Sequence, residues 1–447
     1  LSESTWAMTL DAFYPNFNEI IDNTKVNKII IARLTDYLSP IKGFLFKRTK
    51  GRKIKKIPDS EKNIFWKNIL KTKSTTTIQS DHNIKEMAVI LYSGGTTGNP
   101  KGIMLSSLNI NALATQIKYV GPMKPIDKML SILPVFHGFG LAIGIHAVLI
   151  SGATSILIPK FDAKLVASMI KKEKPQFIAG VPTLYEALLR EPKVQKADFA
   201  SFKFMASGGD SLPSHTKRKF DEFIKNRGAK THLREGYGLT ESVTANCVMP
   251  ENHYRKGSVG IPFPDMELKI VKPDTADEVS PGTEGEICVH GPTVMLGYLN
   301  DQEENKRALR MHSDGRKWLH TGDMGRMDED GFVYFSIRTK RIIKVSGMGV
   351  YPPQIEDALS SHPNVSVSCA IGVPDEYKMN RVKAYVVLHE SNVNKNKVEQ
   401  ELLELCKRDL NKWSLPTEFE FVDSLPLTRI GKVDFNKLEE KERAKAS

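Results

Sequence analysis

The chain has 447 residues, of which 40% are hydrophobic and 26% are charged, and its formal net charge is +12. This composition is that of a globular protein with a large core, and the length favours two or three domains. The most apolar stretch, Ser131–Pro159, is broken by Pro134, His137 and several glycines, which excludes a membrane span of about 20 apolar residues and predicts buried core.

The first half of the chain alternates short β-rich runs with helical stretches. Apolar runs predict strands at Lys28–Ala32, Ala88–Tyr92, Thr154–Ile158, Phe177–Gly180 and Phe204–Ala206, with helices such as Ala163–Lys172 between them. Strand, helix and strand at this spacing predict an α/β sheet with crossover connections.

From about Met266 the pattern of predicted elements changes from alternating strands and helices to short strands separated by turns. Three further runs predict a turn-rich, more antiparallel region: Glu267–Val271, Gly285–His290 and Gly331–Ser336. Beyond Ile337 the pattern predicts helices at Pro352–Ser361 and Asn394–Leu410 and strands at Val365–Val373 and Val382–Leu388. The predicted fold class is therefore α/β, with a large N-terminal domain of layered sheets over 1–339, its β-rich part over 265–339, and a small α+β domain over 341–447.

Four cysteines are scattered along the chain, at Cys247, Cys288, Cys369 and Cys406. They form no CxxC pair, and no histidine follows them at zinc-ligand spacing. This pattern favours reduced thiols in a cytoplasmic protein. The start of the chain, Leu1–Trp6, shows no basic region followed by an apolar run, so no signal peptide is expected.

A basic run covers Lys47–Lys56, with Gly51, Thr49 and Ile54 its uncharged members. Such a run is typical of a solvated loop, and it also suits contact with anionic lipid, nucleic acid or an acidic substrate such as ATP. It contains no interleaved aromatic residues, so nucleic acid is the weakest of these partners.

A glycine-rich loop follows the strand that ends near Tyr92. Its residues are Ser93, Gly94, Gly95, Thr96, Thr97, Gly98, Asn99, Pro100, Lys101 and Gly102. Glycines let backbone amides turn inward, while the hydroxyls and Lys101 add donors and charge, so the loop predicts a polyphosphate cradle. It is not a Walker A loop, because a Walker A lysine is followed by Ser or Thr, whereas Lys101 is followed by Gly102.

This loop resembles the signature of the adenylate-forming superfamily, which contains acyl-CoA synthetases, peptide-synthetase adenylation domains and beetle luciferases. Further resembling segments follow in the family's order: Leu133–Gly140, Ser207–Asp210, Glu235–Glu241, Trp318–Asp323, Arg338–Lys344 and Pro426–Lys432. The resemblance therefore extends from Leu91 to Lys432. It implies an enzyme that joins a carboxylic acid to AMP.

The resemblance implies a role for each matching residue. Lys432 would be the catalytic lysine, with Thr240 at the α-phosphate, Glu241 as ligand of Mg²⁺, and His137 at the acyl pocket. Positive charge is needed there because two anions meet, and a carboxylate is a hard ligand suited to Mg²⁺. The ATP and AMP contacts would come from the loop Ser93–Lys101 and from Gly208, Gly209, Tyr237, Gly238, Asp323 and Arg338. Tyr237 would flank the adenine and Asp323 would take both ribose hydroxyls.

The family also implies a second step in which CoA receives the acyl group. The small domain would swing about a hinge at Lys340, removing the lysine and opening a pantetheine tunnel. Lys344, Gly347 and Gly349 would line that tunnel.

Several positions depart from the family's pattern, namely Gly94, Ile337, Gln354 and Met379-Asn380. Gly94 removes one hydroxyl from the phosphate loop and favours fatty-acid members. The phosphate loop also lies closer to the first residue than in the family, so part of the N-terminal domain is expected to be missing by comparison.

The sequence thus predicts a long-chain fatty-acid–CoA ligase-like enzyme. Its substrates would be ATP, CoA and a medium- or long-chain fatty acid, its cofactor Mg²⁺, and its location cytoplasmic with possible peripheral membrane contact. Two alternatives stay open: an acyl-AMP ligase that loads a carrier protein, and a non-catalytic nucleotide-binding remnant.

Overall fold

The structure is a computed structural model that describes residues 2–72, 81–93, 100–338, 341–346, 348–375, 377–390, 393–428 and 431–446. The chain forms two compact units, Leu1–Asn83 and Ile84–Ser447. The elements of the first unit are β1 (Trp6–Leu10), α1 (Tyr14–Ile20), β2 (Lys28–Ala32), α2 (Pro40–Arg48), β3 (Asn63–Phe65) and α3 (Trp66–Ile69). Its strands form a parallel sheet in the order β1-β2-β3, over a core of Tyr14, Ile29 and Ile31.

The second unit begins with alternating strands and helices. They are β4 (Met87–Ser93), β5 (Lys101–Ser106), α4 (Ser107–Val120), β6 (Lys128–Ser131), α5 (Ala147–Ile150), β7 (Thr154–Leu157), α6 (Ala163–Glu173), β8 (Phe177–Gly180), α7 (Pro182–Arg190), β9 (Phe204–Ser207), α8 (Ser214–Lys225), β10 (Leu233–Tyr237), β11 (Cys247–Val248) and β12 (Ile261–Pro262). Seven of the strands form one sheet in the order β12-β11-β10-β9-β8-β6-β7.

The middle of this sheet is parallel because a helix connects each strand to the next. Strands β6 to β10 pair in parallel, and the predicted crossover connections are confirmed. All four residues of β8 are buried, as expected for a strand covered on both faces. Asp162 caps helix α6, since its carboxylate accepts from Leu165 N, and the helix buries Val166, Ala167 and Ile170 against the sheet.

The predicted β-rich region is also present. Its elements are β13 (Glu267–Val271), β14 (Gly285–His290), β15 (Gly297–Tyr298), α9 (Gln302–Ala308), β16 (Leu309–Met311), β17 (Lys317–Met327) and β18 (Val333–Arg338). Strands β13, β14, β17 and β16 form an antiparallel sheet in that order, and β18 pairs with β17. Strand β15 instead joins β5 and β4 in a separate three-stranded sheet.

The last part of the chain is a small α+β assembly. It contains β19 (Ile343–Val345), β20 (Met348–Val350), α10 (Pro352–Ser360), β21 (Val365–Asp375), β22 (Met379–Leu388), α11 (Lys395–Asp409), β23 (Glu418–Phe421) and α12 (Phe435–Ala446). Buried residues from Ile343 to Cys406 form a core of its own. The predicted α/β fold class, with a large and a small part, is confirmed. The boundary near residue 340 stays a prediction.

The parallel strands of the large sheet end at a common edge. Gly180 ends β8, Gly208 follows β9, and Tyr237 ends β10. Gly208 N donates to Gly180 O at 3.0 Å, which holds two of these ends together. Open α/β sheets bind ligands at this edge. In the described part of the chain, every helix is too short or too polar to span a membrane.

Candidate active site

A cavity of about 2060 Å³ opens at the carboxyl edge of the large sheet. The described residues that the sequence assigned to catalysis or nucleotide binding line it almost without exception. They are Ser93, Lys101, His137, Gly208, Gly209, Tyr237, Gly238, Thr240, Glu241, Asp323, Arg338 and Lys432. These residues are spread over more than three hundred positions of the sequence, so the fold brings the separate motifs to one place.

Some predicted residues lie elsewhere. Gly94, Gly95, Thr96, Thr97, Gly98, Lys340 and Gly347 are outside the described residues. Lys344 and Gly349 face each other across the β19–β20 hairpin and do not line the cavity. Of the predicted CoA-contacting residues, the two that the structure describes, Lys344 and Gly349, are therefore separate from the nucleotide-site residues in this arrangement.

Tyr237 and Asp323 meet on the wall of the cavity. Tyr237 Oη donates to Asp323 Oδ2 at 2.8 Å, and its ring stacks on Phe335 at a centroid distance of 5.8 Å. Strand pairing places Arg338 opposite Asp323, and Arg338 Nε lies 3.0 Å from Asp323 Oδ1. Burial raises the pKa of Asp323, while Arg338 and the Tyr237 hydroxyl oppose that rise. The carboxylate is thus held between a ring hydroxyl and a guanidinium.

Lys432 reaches the same cavity from the small α+β assembly. Gly209 has φ +82°, and a β-carbon built there would lie 3.2 Å from Lys432 Cε and 3.4 Å from Lys432 Nζ. A side chain at this position would therefore press on the lysine, whereas glycine adopts the left-handed backbone without strain. The turn after β9 and the lysine consequently face each other at close range.

Three contacts dock the small assembly on the large sheet around Lys432. Thr183 Oγ1 donates to Gly431 O at 2.6 Å, directly before the lysine. Ser214 N donates to Asp357 Oδ1 at 2.7 Å, and Arg190 contacts Ser366. Gly431 has φ +82°, which favours glycine at this turn. These contacts fix the arrangement in which the lysine points into the cavity.

Electrostatics distinguish two of the cavity residues. Burial lowers the pKa of Lys432, and the carboxylates of Asp210 and Asp323 oppose this effect. Burial and, to a smaller extent, the charge of Lys432 lower the pKa of His137 to about 4. His137 is therefore a neutral imidazole near neutral pH, and its Nδ1 accepts from Phe139 N at 3.1 Å.

Glu241 follows Thr240 in a short turn held by neighbouring backbone. Tyr298 Oη donates to Glu241 Oε1 at 2.9 Å, and Met295 N donates to Glu241 O at 2.8 Å. Gly238 precedes this turn, and a β-carbon there would come within 2.1 Å of Thr244 O. Glycine at 238 is thus required for the chain to fold back tightly before the carboxylate.

Glu241 fits the cation that the family implies. It offers a carboxylate to the cavity, and Mg²⁺ prefers oxygen ligands, often one or two carboxylates together with phosphate oxygens and waters. Lys101 contributes the neighbouring positive charge: it is ion-paired with Glu304, and its ammonium lies 5.0 Å from the centroid of the Tyr298 ring.

Sequence reasoning missed several residues that hold the site. These are Thr183, Glu286, Tyr298, Glu304 and Phe335. Glu286 Oε1, for example, accepts from Gly322 N at 2.9 Å, directly before Asp323. No local pattern indicated them, because the partner of each lies at least 36 positions away along the chain.

The opposite end of the cavity is apolar. Ile117, Val120, Met123, Met129, Phe177 and Phe204 line it, from helix α4 and three neighbouring strands of the large sheet or the loops beside them. Phe177 and Phe204 stack with centroids 6.1 Å apart. Gly121 faces these two rings, and a β-carbon there would lie 3.1 Å from Phe204 Cδ2. One cavity therefore joins a charged region to an apolar pocket.

Two sequence-family models match the chain. The model described as AMP-binding enzyme matches residues 18–299. The model described as AMP-binding enzyme C-terminal domain matches residues 354–432. Together they include the phosphate loop, the carboxylate turn at Glu241 and the lysine at 432.

Curated relatives extend over nearly the whole chain. A long-chain-fatty-acid–CoA ligase of Bacillus subtilis is 37% identical over 444 residues, which are 97% of this chain and 76% of the relative. A protein of the same name from Escherichia coli O157:H7 is 35% identical, with the same coverage. A probable 4-coumarate–CoA ligase 1 of Dictyostelium discoideum is 32% identical over 79% of this chain and 64% of its own length.

Solved structures share the fold. The anthranilate CoA ligase AuaEII in complex with anthranoyl-AMP superposes with a TM-score of 0.83 at 24% identity, covering 100% of this chain and 80% of the other. ATP-bound MatB from Rhodopseudomonas palustris gives a TM-score of 0.78 at 26% identity, covering 97% and 82%. The first likeness supports the fold alone, because its identity is low.

Proposed function

The chain belongs to the AMP-binding enzyme family, and from this premise we propose that it joins a carboxylic acid to AMP and then transfers the acyl group to CoA. The observation that carries the proposal is the meeting of Lys432, Asp323 and Glu241 in one cavity that also has an apolar end. ATP would supply AMP, and pyrophosphate would leave.

The first step brings the carboxylate of the acid to the α-phosphorus of ATP. Lys432 would lie between the two anions and stabilise the charge that builds up on the α-phosphate. Thr240 would donate to an α-phosphate oxygen. Mg²⁺, when bound, would neutralise phosphate charge, and Glu241 is the residue that would hold it.

Asp323 would bind the ribose. It is 1% exposed, and its Oδ1 has no hydrogen-bond partner among the described residues, although Arg338 Nε is near. The Arg338 guanidinium balances the charge of this buried oxygen, and a ribose hydroxyl would supply the hydrogen-bond donor that it lacks. Tyr237 already donates to the other oxygen and would set the orientation of the carboxylate.

The acid is proposed to be a medium- or long-chain fatty acid. The lining residues Ile117, Val120, Met123, Met129, Phe177 and Phe204 all have apolar side chains, so an alkyl chain that packs against them would lose water without leaving their side chains in need of a polar partner. The names of the bacterial relatives support the same substrate class.

The second step would need a movement of the small assembly. Lys344 and Gly349 lie away from the cavity. They could therefore line a tunnel for the pantetheine of CoA only after the small assembly turns about the predicted hinge at Lys340. Hinges fall at the ends of elements, and Lys340 lies between β18 and β19. This is the proposed basis for separating the two half-reactions.

The proposal is tested with the full chain and a panel of carboxylic acids. ATP–pyrophosphate exchange should appear with fatty acids, and adding CoA should give AMP and a thioester. Lys432→Ala should abolish exchange but spare transfer of a supplied acyl-AMP to CoA. Lys437→Ala, an exposed lysine of α12, serves as control and should behave as the parent chain.

Other outcomes would decide between the remaining candidates. Exchange without thioester, together with loading of a carrier protein, would favour an acyl-AMP ligase. A folded chain that binds ATP but exchanges with no acid would favour a non-catalytic nucleotide-binding protein. Equal loss of both half-reactions in Lys432→Ala would contradict the assigned role of the lysine.

A peripheral contact with anionic membrane in the cytoplasm is proposed for the first unit. Helix α2 exposes Ile41, Phe44 and Leu45, with Ile41 at 76%, and the basic run Lys47–Lys56 follows directly. Apolar side chains beside a cationic run suit a membrane surface with negative lipids.

The chain should float with vesicles that contain phosphatidylserine and not with phosphatidylcholine alone, and Phe44→Asp should abolish flotation. Equal binding to both vesicles, or none, would contradict the contact.

A further inference from the structure

A cysteine and two histidines converge inside the β-rich sheet. Cys288 of β14 pairs directly with His320 of β17, and His312 lies in the turn between β16 and β17. All three are buried, with exposures of 0%, 6% and 6%, and one ligand atom from each lies within 4.8 Å of the others. Nε2 of His312 and Nε2 of His320 lie 2.9 Å apart.

The outer partner of His320 orients its ring toward the cluster. His320 Nδ1 lies 2.8 Å from Glu286 Oε2, so the proton on this nitrogen is donated to the carboxylate. The lone pair of a neutral His320 is then on Nε2, the atom that faces His312. A carboxylate on the far nitrogen is the usual outer contact of a metal-bound histidine, because it sets the tautomer and raises the basicity of the ligand.

The hydrogen bonding of the two rings is incomplete among the described residues. His312 Nδ1 is buried and has no hydrogen-bond partner. The ring itself is fixed, since it stacks on Trp318 at a centroid distance of 5.8 Å and its backbone closes the hairpin through Arg316. An unpaired imidazole nitrogen in a rigid, buried ring calls for a further partner.

The charge around the cluster suits a dication bound through a thiolate. Glu286 supplies one negative charge, and Cys288 would supply a second after losing its proton to solvent, so a divalent ion would leave the group neutral. The nearby cations are Lys269, which is ion-paired with Asp314 at 3.5 Å, and Arg310, whose charge acts on Glu286 and His312. A set of one sulfur and two imidazole nitrogens selects Zn²⁺ over Mg²⁺, which prefers oxygen ligands.

We propose that Cys288, His312 and His320 form a binding site for Zn²⁺, separate from the Mg²⁺ that Glu241 would hold. The bonds formed are from the cation to the Cys288 sulfur and to one ring nitrogen of each histidine. The bonds broken are the S–H of Cys288, whose proton goes to solvent, and the hydrogen bond between the two Nε2 atoms. Zinc binds nitrogen and sulfur at about 2.0–2.3 Å, so small side-chain rotations would bring the three atoms around one ion. The cation would join β14 to the β16–β17 hairpin.

The test uses the full chain, stripped of metal with a chelator and titrated with Co²⁺ as an optical substitute for Zn²⁺. One equivalent should produce an intense sulfur-to-cobalt charge-transfer absorption together with the visible bands of a four-coordinate ion, with water as the fourth ligand beside the three side chains, and Zn²⁺ should displace the Co²⁺ and remove both signals. Zinc should also raise the melting temperature of the stripped chain. Direct metal analysis after dialysis should give one zinc per chain.

Variants separate this site from other cysteines. Cys288→Ser should remove the charge-transfer band, and His312→Gln should weaken Zn²⁺ binding at least tenfold. Cys406→Ser, a buried cysteine of the small α+β assembly, is the matched control and should keep both. Circular dichroism of each variant establishes that it is folded.

Two results would overturn the proposal. One is the absence of a thiolate band, with no zinc retained by the folded parent chain. The other is an unchanged band in a folded Cys288→Ser chain, which would place the metal elsewhere. In either case the two histidines would be a hydrogen-bonded structural pair.

Discussion

At the scale of single residues, Tyr237 has two contacts that a substitution can separate. Its ring stacks on Phe335, and its hydroxyl donates to the buried carboxylate of Asp323. Tyr237→Phe keeps the ring and removes the donor, so it should reduce the free energy of unfolding by about 1–3 kcal/mol. It should also raise the KM for ATP severalfold, because Asp323 would be held less firmly for the ribose. Chemical denaturation and steady-state kinetics measure the two effects.

Tyr334→Phe is the matched control for this change. Tyr334 Oη donates to Asp328 Oδ2 at 3.1 Å, outside the cavity. The control removes the same kind of hydrogen bond and should leave the KM for ATP unchanged. If both variants raised the KM equally, the cause would be a general loss of stability of the folded chain and not the lost hydrogen bond to Asp323.

His137 predicts a pH dependence of stability. Its pKa falls from 6.5 to about 4 on folding, because burial and the nearby Lys432 disfavour the imidazolium. Between these values the unfolded chain binds a proton that the folded chain does not, so this contribution is complete above pH 6.5 and is lost as the pH falls toward 4. At about 1.4 kcal/mol per pH unit, the upper limit over this range is about 3.5 kcal/mol.

His137→Gln should remove this contribution. The free energy of unfolding of the variant should therefore decline less than that of the parent chain between pH 6.5 and 4, while the two curves run parallel above pH 7. Denaturant unfolding at a series of pH values provides the comparison. Parallel curves over the whole range would show that the folded site accepts the proton without cost.

At the scale of elements, the start of helix α4 supports the segment that holds Glu241. Asn109 and Ser106 form a reciprocal capping box, and Asn109 Nδ2 also donates to Pro292 O at 2.7 Å and Val294 O at 2.9 Å. Val294 is followed by Met295, whose backbone N donates to Glu241 O. One buried amide therefore links a helix end to the segment that holds the proposed Mg²⁺ ligand.

Asn109→Ala should destabilise the chain by about 3 kcal/mol, since it removes the acceptor of Ser106 N and leaves the carbonyls of Pro292 and Val294 without their donor. Asp162→Ala removes only the cap of α6 and should cost about 1 kcal/mol. Thermal and denaturant unfolding compare the two variants. Equal destabilisation would mean that the bonds to Pro292 and Val294 contribute nothing.

At the scale of the whole molecule, the small assembly is docked with its lysine in the cavity. Asp357 of α10 accepts from Ser214 N and so belongs to the docking contacts and to no part of the nucleotide site. Asp357→Ala should lower the rate of adenylation roughly threefold to tenfold, which corresponds to an exposed hydrogen bond of about 0.5–1.5 kcal/mol. Transfer of a supplied acyl-AMP to CoA should be unaffected, because that step is proposed to need the undocked arrangement.

The control is Asp409→Ala at the end of α11, where the carboxylate pairs with Arg408 in the same helix. It should change neither half-reaction. Pyrophosphate exchange and single-turnover thioester formation measure the two steps separately. A parallel loss of both steps in Asp357→Ala would indicate damage to the small assembly and not to its docking.

Much of the fold could be predicted from local pattern. The strands Lys28–Ala32, Phe177–Gly180, Glu267–Val271 and Gly285–His290 were predicted with the bounds that the structure has. Each is a contiguous apolar or alternating run between turn residues, and such patterns depend on near neighbours. The order of strands could not be predicted in this way: β15 leaves the β-rich region to pair with β5, which is a choice of distant partners.

The candidate site likewise has features that the sequence predicts and features that only the structure determines. The sequence by itself determined the family and the chemical types that meet in it, since each motif is a short segment whose residues are read together. Only the tertiary structure decided their partners: Tyr237 faces Asp323 across 86 positions, Lys432 faces Gly209, and Cys288 faces two histidines that no cysteine spacing indicated. The physical reason is that such contacts depend on strand register and on docking of separate parts, and no short stretch of sequence encodes either.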